Sequence, residues 1–101
     1  MSAKKYGMAK EREGRKLLEK EGFYVIPAKA SMGIFDCLAF RKEEVRLIQF
    51  KATKQKYYSY KKDIEEITSF DNHPEGWKKQ LWIYLSPNKE RKEKGWKLIE
   101  L

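Results

Sequence analysis

Cysteine is almost missing from this 101-residue chain. Cys37 stands alone, which excludes an internal disulfide and fits a reducing compartment. Histidine is as scarce. His73 has no partner at metal-ligand spacing, so a histidine-based metal cluster is excluded, and His73 itself reads as a solvated turn residue before Pro74. No apolar run approaches the ~20 residues that a bilayer-spanning helix needs. The stretch from Met1 to Lys16 is charged and polar, without the apolar core of a signal peptide. Glycine-rich phosphate loops, CxxC pairs and a Ser-His-Asp arrangement are all absent. These absences lead us to expect a soluble, cytoplasmic protein that works without a membrane and associates with the nucleoid if its partner is DNA.

What the chain does have is positive charge. Lysine and arginine number 23 against 15 acids, a formal +8 with a pI near 9.5. Such a balance suits a polyanion, nucleic acid first, although a merely soluble charged surface would look the same. A hydrophobic fraction of 41% is enough for one small core and argues against a disordered tail. We therefore expect a single domain over residues 1–101.

Periodicity orders the rest. Lys4 to Glu21 is rich in strong helix formers, with Leu17 and Leu18 turned to a core and Gly22 placed to end the helix. Phe23 to Ala28 reads as a short strand. Ile34 to Arg41 and Glu44 to Lys51 read as two more, and the Lys42-Glu43 connection is short enough for an antiparallel hairpin. Lys61 to Phe70 has Ile64, Ile67 and Phe70 at helical spacing. Gln80 to Leu85 and Trp96 to Leu101 close the list as strands. The fold class is α/β, a mixed sheet of about five strands flanked by two helices.

The two central strands are polar in unexpected places. Asp36 interrupts the run Ile34-Phe35-Asp36-Cys37-Leu38-Ala39-Phe40, where a carboxylate is unfavourable unless a cation or donors satisfy it. Gln49 and Lys51 lie two apart at the end of the next strand, so their side chains share a face. If the strands pair, an acid, an amide oxygen and an ammonium converge. That set suits Mg²⁺ and phosphate, with the Phe50 carbonyl as a further ligand. A second reading stays open: Asp36 as a turn or cap residue, and Lys51 as the point where the strand meets water. Cys37 alternates away from Asp36 and reads as a small buried hydrophobe. Trp77, Trp82 and Trp96 read as core or interface residues.

The succession Gly7-Met8-Ala9-Lys10-Glu11, Gly22-Phe23-Tyr24-Val25, Gly33-Ile34-Phe35-Asp36 and Leu47-Ile48-Gln49-Phe50-Lys51 resembles the archaeal Holliday-junction resolvases of the PD-(D/E)XK nuclease superfamily. The resemblance covers nearly the whole chain. It implies a restriction-endonuclease-like core and Mg²⁺-dependent hydrolysis of phosphodiester bonds in branched or four-way-junction DNA, with Mn²⁺ as a substitute. It implies a homodimer, whose two-fold axis would let two sites cut two strands. Asp36 matches the metal-binding aspartate and Lys51 the catalytic lysine. Glu11 matches the glutamate of the first helix, with Glu13 a neighbouring alternative. Ser31 falls in a loop where the family has a functional serine.

Two residues depart from the pattern. Gln49 stands where an acid is expected, keeping a carbonyl ligand but losing a charge. Gly14 stands where the first helix usually has an apolar residue, either for close packing or for an altered partner surface. Around this core, Lys5, Lys10 and Arg12 are candidate DNA contacts. So is the lysine-tyrosine segment with Lys54, Lys56, Tyr57, Tyr58, Lys61 and Lys62, because lysines neutralise phosphates and tyrosines can stack. Three functions compete: a structure-selective DNA endonuclease, a DNA-binding protein of the same fold with weak or lost cleavage, and an RNA-binding module suggested only by charge and tyrosines.

Overall fold

The computed structural model describes residues 3–28, 34–53, 59–85 and 95–101, with the side chains of residues 3–5 and 53 set aside. The first element is α1, Ala3–Lys20. It stops because Gly22 adopts a left-handed conformation (φ 94°) that a side chain would disfavour. The Gly22 N–H then donates to the Glu19 carbonyl at 3.0 Å and the Phe23 N–H to the Leu18 carbonyl at 3.1 Å. This pair of bonds is a Schellman cap, and the accompanying apolar contact is present, since Leu18 and Phe23 share one core cluster.

Five strands follow: β1 (Tyr24–Pro27), β2 (Cys37–Arg41), β3 (Glu44–Thr53), β4 (Lys78–Leu85) and β5 (Gly95–Glu100), with α2 (Lys61–Ser69) between β3 and β4. They form one sheet in sequence order. All neighbours are antiparallel except β3 and β4, which α2 joins as a parallel crossover. The β2–β3 hairpin closes through Lys42 and Glu43, with Arg41 opposite Glu44 and Lys42 at φ 41°.

Strand alternation sorts the core into two layers. Cys37, Ala39, Ile48, Phe50 and Trp82 face α1 with Leu18, whereas Leu47, Leu81 and Ile83 face α2 with Ile67. Each helix therefore covers one face of an α/β mixed sheet, as the sequence pattern leads one to expect. Lys79 reaches from β4 to the carbonyls at the end of α2, at 2.9 Å from Ile67 and 2.8 Å from Phe70, and so fixes the helix that has no basic residue in its own last turn.

Two expectations need correction. The second strand begins at Cys37, not Ile34, and Asp36 lies in the bend before it. His73 is not simply solvated: it is half-buried and stacks on Phe70, the C-cap of α2, with ring centroids 6.1 Å apart.

Candidate active site

Asp36 leaves the ladder for a physical reason. Its N–H donates to the Ile48 carbonyl and its carbonyl accepts from the Ala28 N–H, both at 2.8 Å. Its side-chain Oδ2 accepts from the N–H of Phe50 at 2.7 Å. The carboxylate thus takes a β3 donor that a main-chain carbonyl would take in a regular ladder, and the regular β2–β3 register holds only from Cys37, opposite Ile48, onward. The result sets the acid against β3 at Phe50, the residue between Gln49 and Lys51, and within reach of the Lys51 charge.

Gln49 is buried, with 8% exposure, and its Oε1 has no hydrogen-bond partner among the described residues. A buried amide oxygen left this way is unfavourable by about 1–3 kcal/mol, so it marks a place where something else belongs. Lys51 shares its face, and its Nζ sits 3.3 Å from Oδ1 of Asp63 in the first turn of α2.

Glu11 comes from the other layer. On α1, Glu11, Gly14, Arg15 and Leu18 recur at the three- and four-residue spacing of one helix face, and Leu18 is in the core. Gly14 is buried, and a Cβ there would lie 2.5 Å from Cε1 of Phe50. The missing side chain lets α1 rest on the ring of Phe50, whose N–H holds Asp36. This is the close-packing answer to why a glycine interrupts the helix.

Glu11, Asp36, Arg15 and Lys51 lie close enough to act on one another's charge. Burial pushes the Glu11 carboxyl above its usual range, the charge of Asp36 pushes it further, and Arg15 and Lys51 oppose the rise. Burial also raises Asp36, against the Phe50 hydrogen bond and the cations of Lys51 and Arg15. Cys37 behaves as the buried thiol foreseen, pushed up to about 12 mainly by burial. Glu13 does not join the group; it pairs with Lys10 at 2.9 Å. Two site neighbours escaped the sequence reading. Arg15 could have been found at four residues from Glu11 on the helix. Asp63 could not, since its place depends on the β3–β4 crossover.

Oxygen donors dominate this set: two carboxylates and an amide carbonyl, with no histidine or thiolate. Such donors fit a hard divalent cation. Among the described residues no three Asp, Glu, His or Cys side chains converge closely enough to hold an ion alone, so an ion here would also need the Gln49 oxygen, main-chain carbonyls, water or phosphate.

Of the predicted DNA contacts, Arg12, Lys61 and Lys62 are exposed, whereas Lys10 packs 3.7 Å from the Tyr84 ring centroid. Ser31, Lys54, Lys56, Tyr57 and Tyr58 lie outside the described residues, as does the side chain of Lys5. Among the described residues no helix is long and apolar enough to cross a membrane.

Residues 2–101 match the profile of the archaeal Holliday junction resolvase family. Among curated proteins, the chain is similar to the crossover junction endodeoxyribonuclease Hjc of Methanocaldococcus jannaschii, 48% identical over 65 residues. Those residues are 63% of this chain and 48% of that relative, so the chain aligns with about half the relative's length.

Proposed function

The chain belongs to the archaeal Holliday junction resolvase family, and from that membership we propose that it is a structure-selective endodeoxyribonuclease that hydrolyses phosphodiester bonds in branched DNA with a divalent metal, Mg²⁺ first. The observation that supports this reading is the 2.7 Å bond from the Phe50 N–H to Asp36, which holds a half-buried carboxylate at the residue between Gln49 and Lys51. Asp36, Gln49 and the Phe50 carbonyl would hold the ion, with Glu11 reaching it directly or through water. When bound, the ion supplies Lewis-acid activation of the scissile phosphate. Lys51 orients the attacking water and offsets charge growing on the phosphate oxygens. Arg12, Lys61 and Lys62, with Ser31, Lys5, Lys10 and the Lys54–Tyr58 segment, track the DNA backbone.

The reading includes one nuclease domain over residues 1–101, working as a homodimer inside the cell, where chromosomal DNA lies. Tyr24 (72% exposed), Ile26 (52%) and Phe40 form an apolar, uncharged face on the β1–β2 side. In a chain of net charge +8, that face is where a second copy can approach without like-charge repulsion. Light scattering should give twice the chain mass; a single-chain mass at every concentration would remove the dimer.

The test of function is cleavage of four-way junctions, flaps and nicked duplexes in Mg²⁺ and in Mn²⁺. Wild type should cut and Asp36→Ala should not; equal cutting by both would refute the site. Gln49 motivates a second reading, a junction binder with weak or lost cleavage, because an amide at the ligand position attracts a cation less than a carboxylate does. Under that reading wild type binds junctions without cutting in either metal, and Gln49→Glu restores cleavage.

A further inference from the structure

The ion pair between Lys51 and Asp63 sets the position of the ammonium, a role in cleavage that rests on the nuclease reading above. Lys51 carries its ammonium on a flexible four-carbon stem and is 36% exposed, so by itself it would sample many positions. Asp63 is the better-fixed partner. Its side chain is only 13% exposed, and it stands in the first turn of α2, where the helix dipole favours a negative charge.

The helix beneath it is anchored along its length. Ile67 is fully buried, Lys79 binds the carbonyls at the C-terminal end, and Lys97 on β5 donates to the Tyr60 hydroxyl at the N-terminal end at 3.1 Å. Lys51, Ile83 and Lys97 are cross-strand neighbours in one row over β3, β4 and β5. Two of the three therefore reach the start of α2, Lys51 through Asp63 and Lys97 through Tyr60. The other ion pairs of the described residues, around Lys10 and around Glu44, include none of Glu11, Asp36, Gln49 and Lys51.

We infer that Asp63 is a positioning residue for the cleavage reaction: by holding Nζ of Lys51 from the first turn of α2, it fixes the ammonium beside Asp36 and Gln49, where the scissile phosphate arrives. Asp63 touches neither phosphate nor metal. Its effect on the reaction runs through the orientation of Lys51, so it should change the rate of the bound complex and leave junction affinity alone. A merely structural ion pair, with its lysine partly exposed as here, would instead change stability slightly and the rate not at all.

The experiment is single-turnover cleavage of a four-way junction at saturating protein, with junction Kd and thermal melting measured on the same samples. The variants are Asp63→Asn, Asp63→Ala and Asp63→Glu, beside Lys51→Ala and Asp36→Ala. Loss of orientation should slow cleavage by Asp63→Asn and Asp63→Ala roughly tenfold to a hundredfold, with Kd within about twofold of wild type and only the small drop in melting temperature that losing one first-turn charge brings. Asp63→Glu should recover most of the rate, because a carboxylate is restored at the same place. Unchanged rates in Asp63→Asn and Asp63→Ala, while Lys51→Ala and Asp36→Ala are inactive, would overturn the inference and leave the nuclease reading standing. A rate loss matched by an equal loss of affinity or of melting temperature would also overturn it. If wild type and Gln49→Glu both leave every junction intact, the nuclease reading fails, and the role of Asp63 fails with it.

Discussion

Glu44 is surrounded by basic groups at the far end of β3 from the site: Arg46 at 2.8 Å, Lys78 at 3.2 Å and Arg41 at 3.4 Å. The hydrogen bond from Arg46, helped by that from Lys78, holds its carboxyl down at about 2, below the ordinary 4.5. A folded-state value below the unfolded one means that the native state keeps the group ionised where the unfolded chain protonates it. Glu44 therefore contributes stability above 4.5, and that contribution disappears as pH falls from 4.5 toward about 2. Glu44→Gln should lower the urea midpoint at neutral pH and flatten its decline through that acid window. Parallel curves for wild type and variant would contradict the assignment. The same scale shows why some residues could be read early and others not. Asp36, Gln49 and Lys51 betray themselves by being polar in apolar runs, an anomaly visible in one dimension. Arg15, Asp63 and the Arg46–Glu44 pair look like ordinary members of a charged chain until folding gives them neighbours.

At the scale of elements, α1 and β3 meet where Gly14 lies on Phe50, and two physical effects oppose each other there. Helix propensity favours Gly14→Ala by about 1 kcal/mol. Packing opposes it, because the new Cβ would sit 2.5 Å from Cε1 of Phe50. The ring has little room to retreat, since Trp82 and Trp96 both stand against it with centroids 5.8 Å away. We expect packing to win. Gly14→Ala should show no gain in unfolding free energy, and Gly14→Leu should lose about 1–3 kcal/mol, the usual penalty for overpacking. Either change lifts α1 and carries Glu11 away from Asp36, so metal affinity, followed by calorimetry, should fall with stability. A stabilised Gly14→Ala that still binds metal normally would show that α1 does not need this approach. The helices and all five strands were legible from periodicity. The break before β2 was legible only as the alternative that made Asp36 a turn residue, because its cause is a side-chain bond to the main chain of another strand. The parallel pairing of β3 with β4 was equally hidden, being a property of the crossover and not of either strand.

At the scale of the whole molecule the excess of positive charge decides how binding responds to salt. Each phosphate neutralised by a lysine or arginine releases condensed counterions, so log K should fall linearly with log salt concentration. The expectation of a polyanion comes from the composition, and that of branched DNA from the ordered motifs, because charge alone does not distinguish one nucleic acid from another. Lys61 and Lys62 are exposed at the start of α2, two residues or fewer from Asp63. If they meet phosphates, Lys61→Gln or Lys62→Gln should each reduce the magnitude of the salt slope by about 1, on any duplex or junction sequence. Neither change should alter the cleavage rate of the saturated complex, since neither side chain belongs to the Asp36–Gln49–Lys51 group. Glu44→Gln, on a different part of the surface, should leave the slope as it is in wild type. A slope that stays fixed when both lysines are replaced would move the DNA path away from the start of α2, toward Arg12 and the helix that carries Glu11.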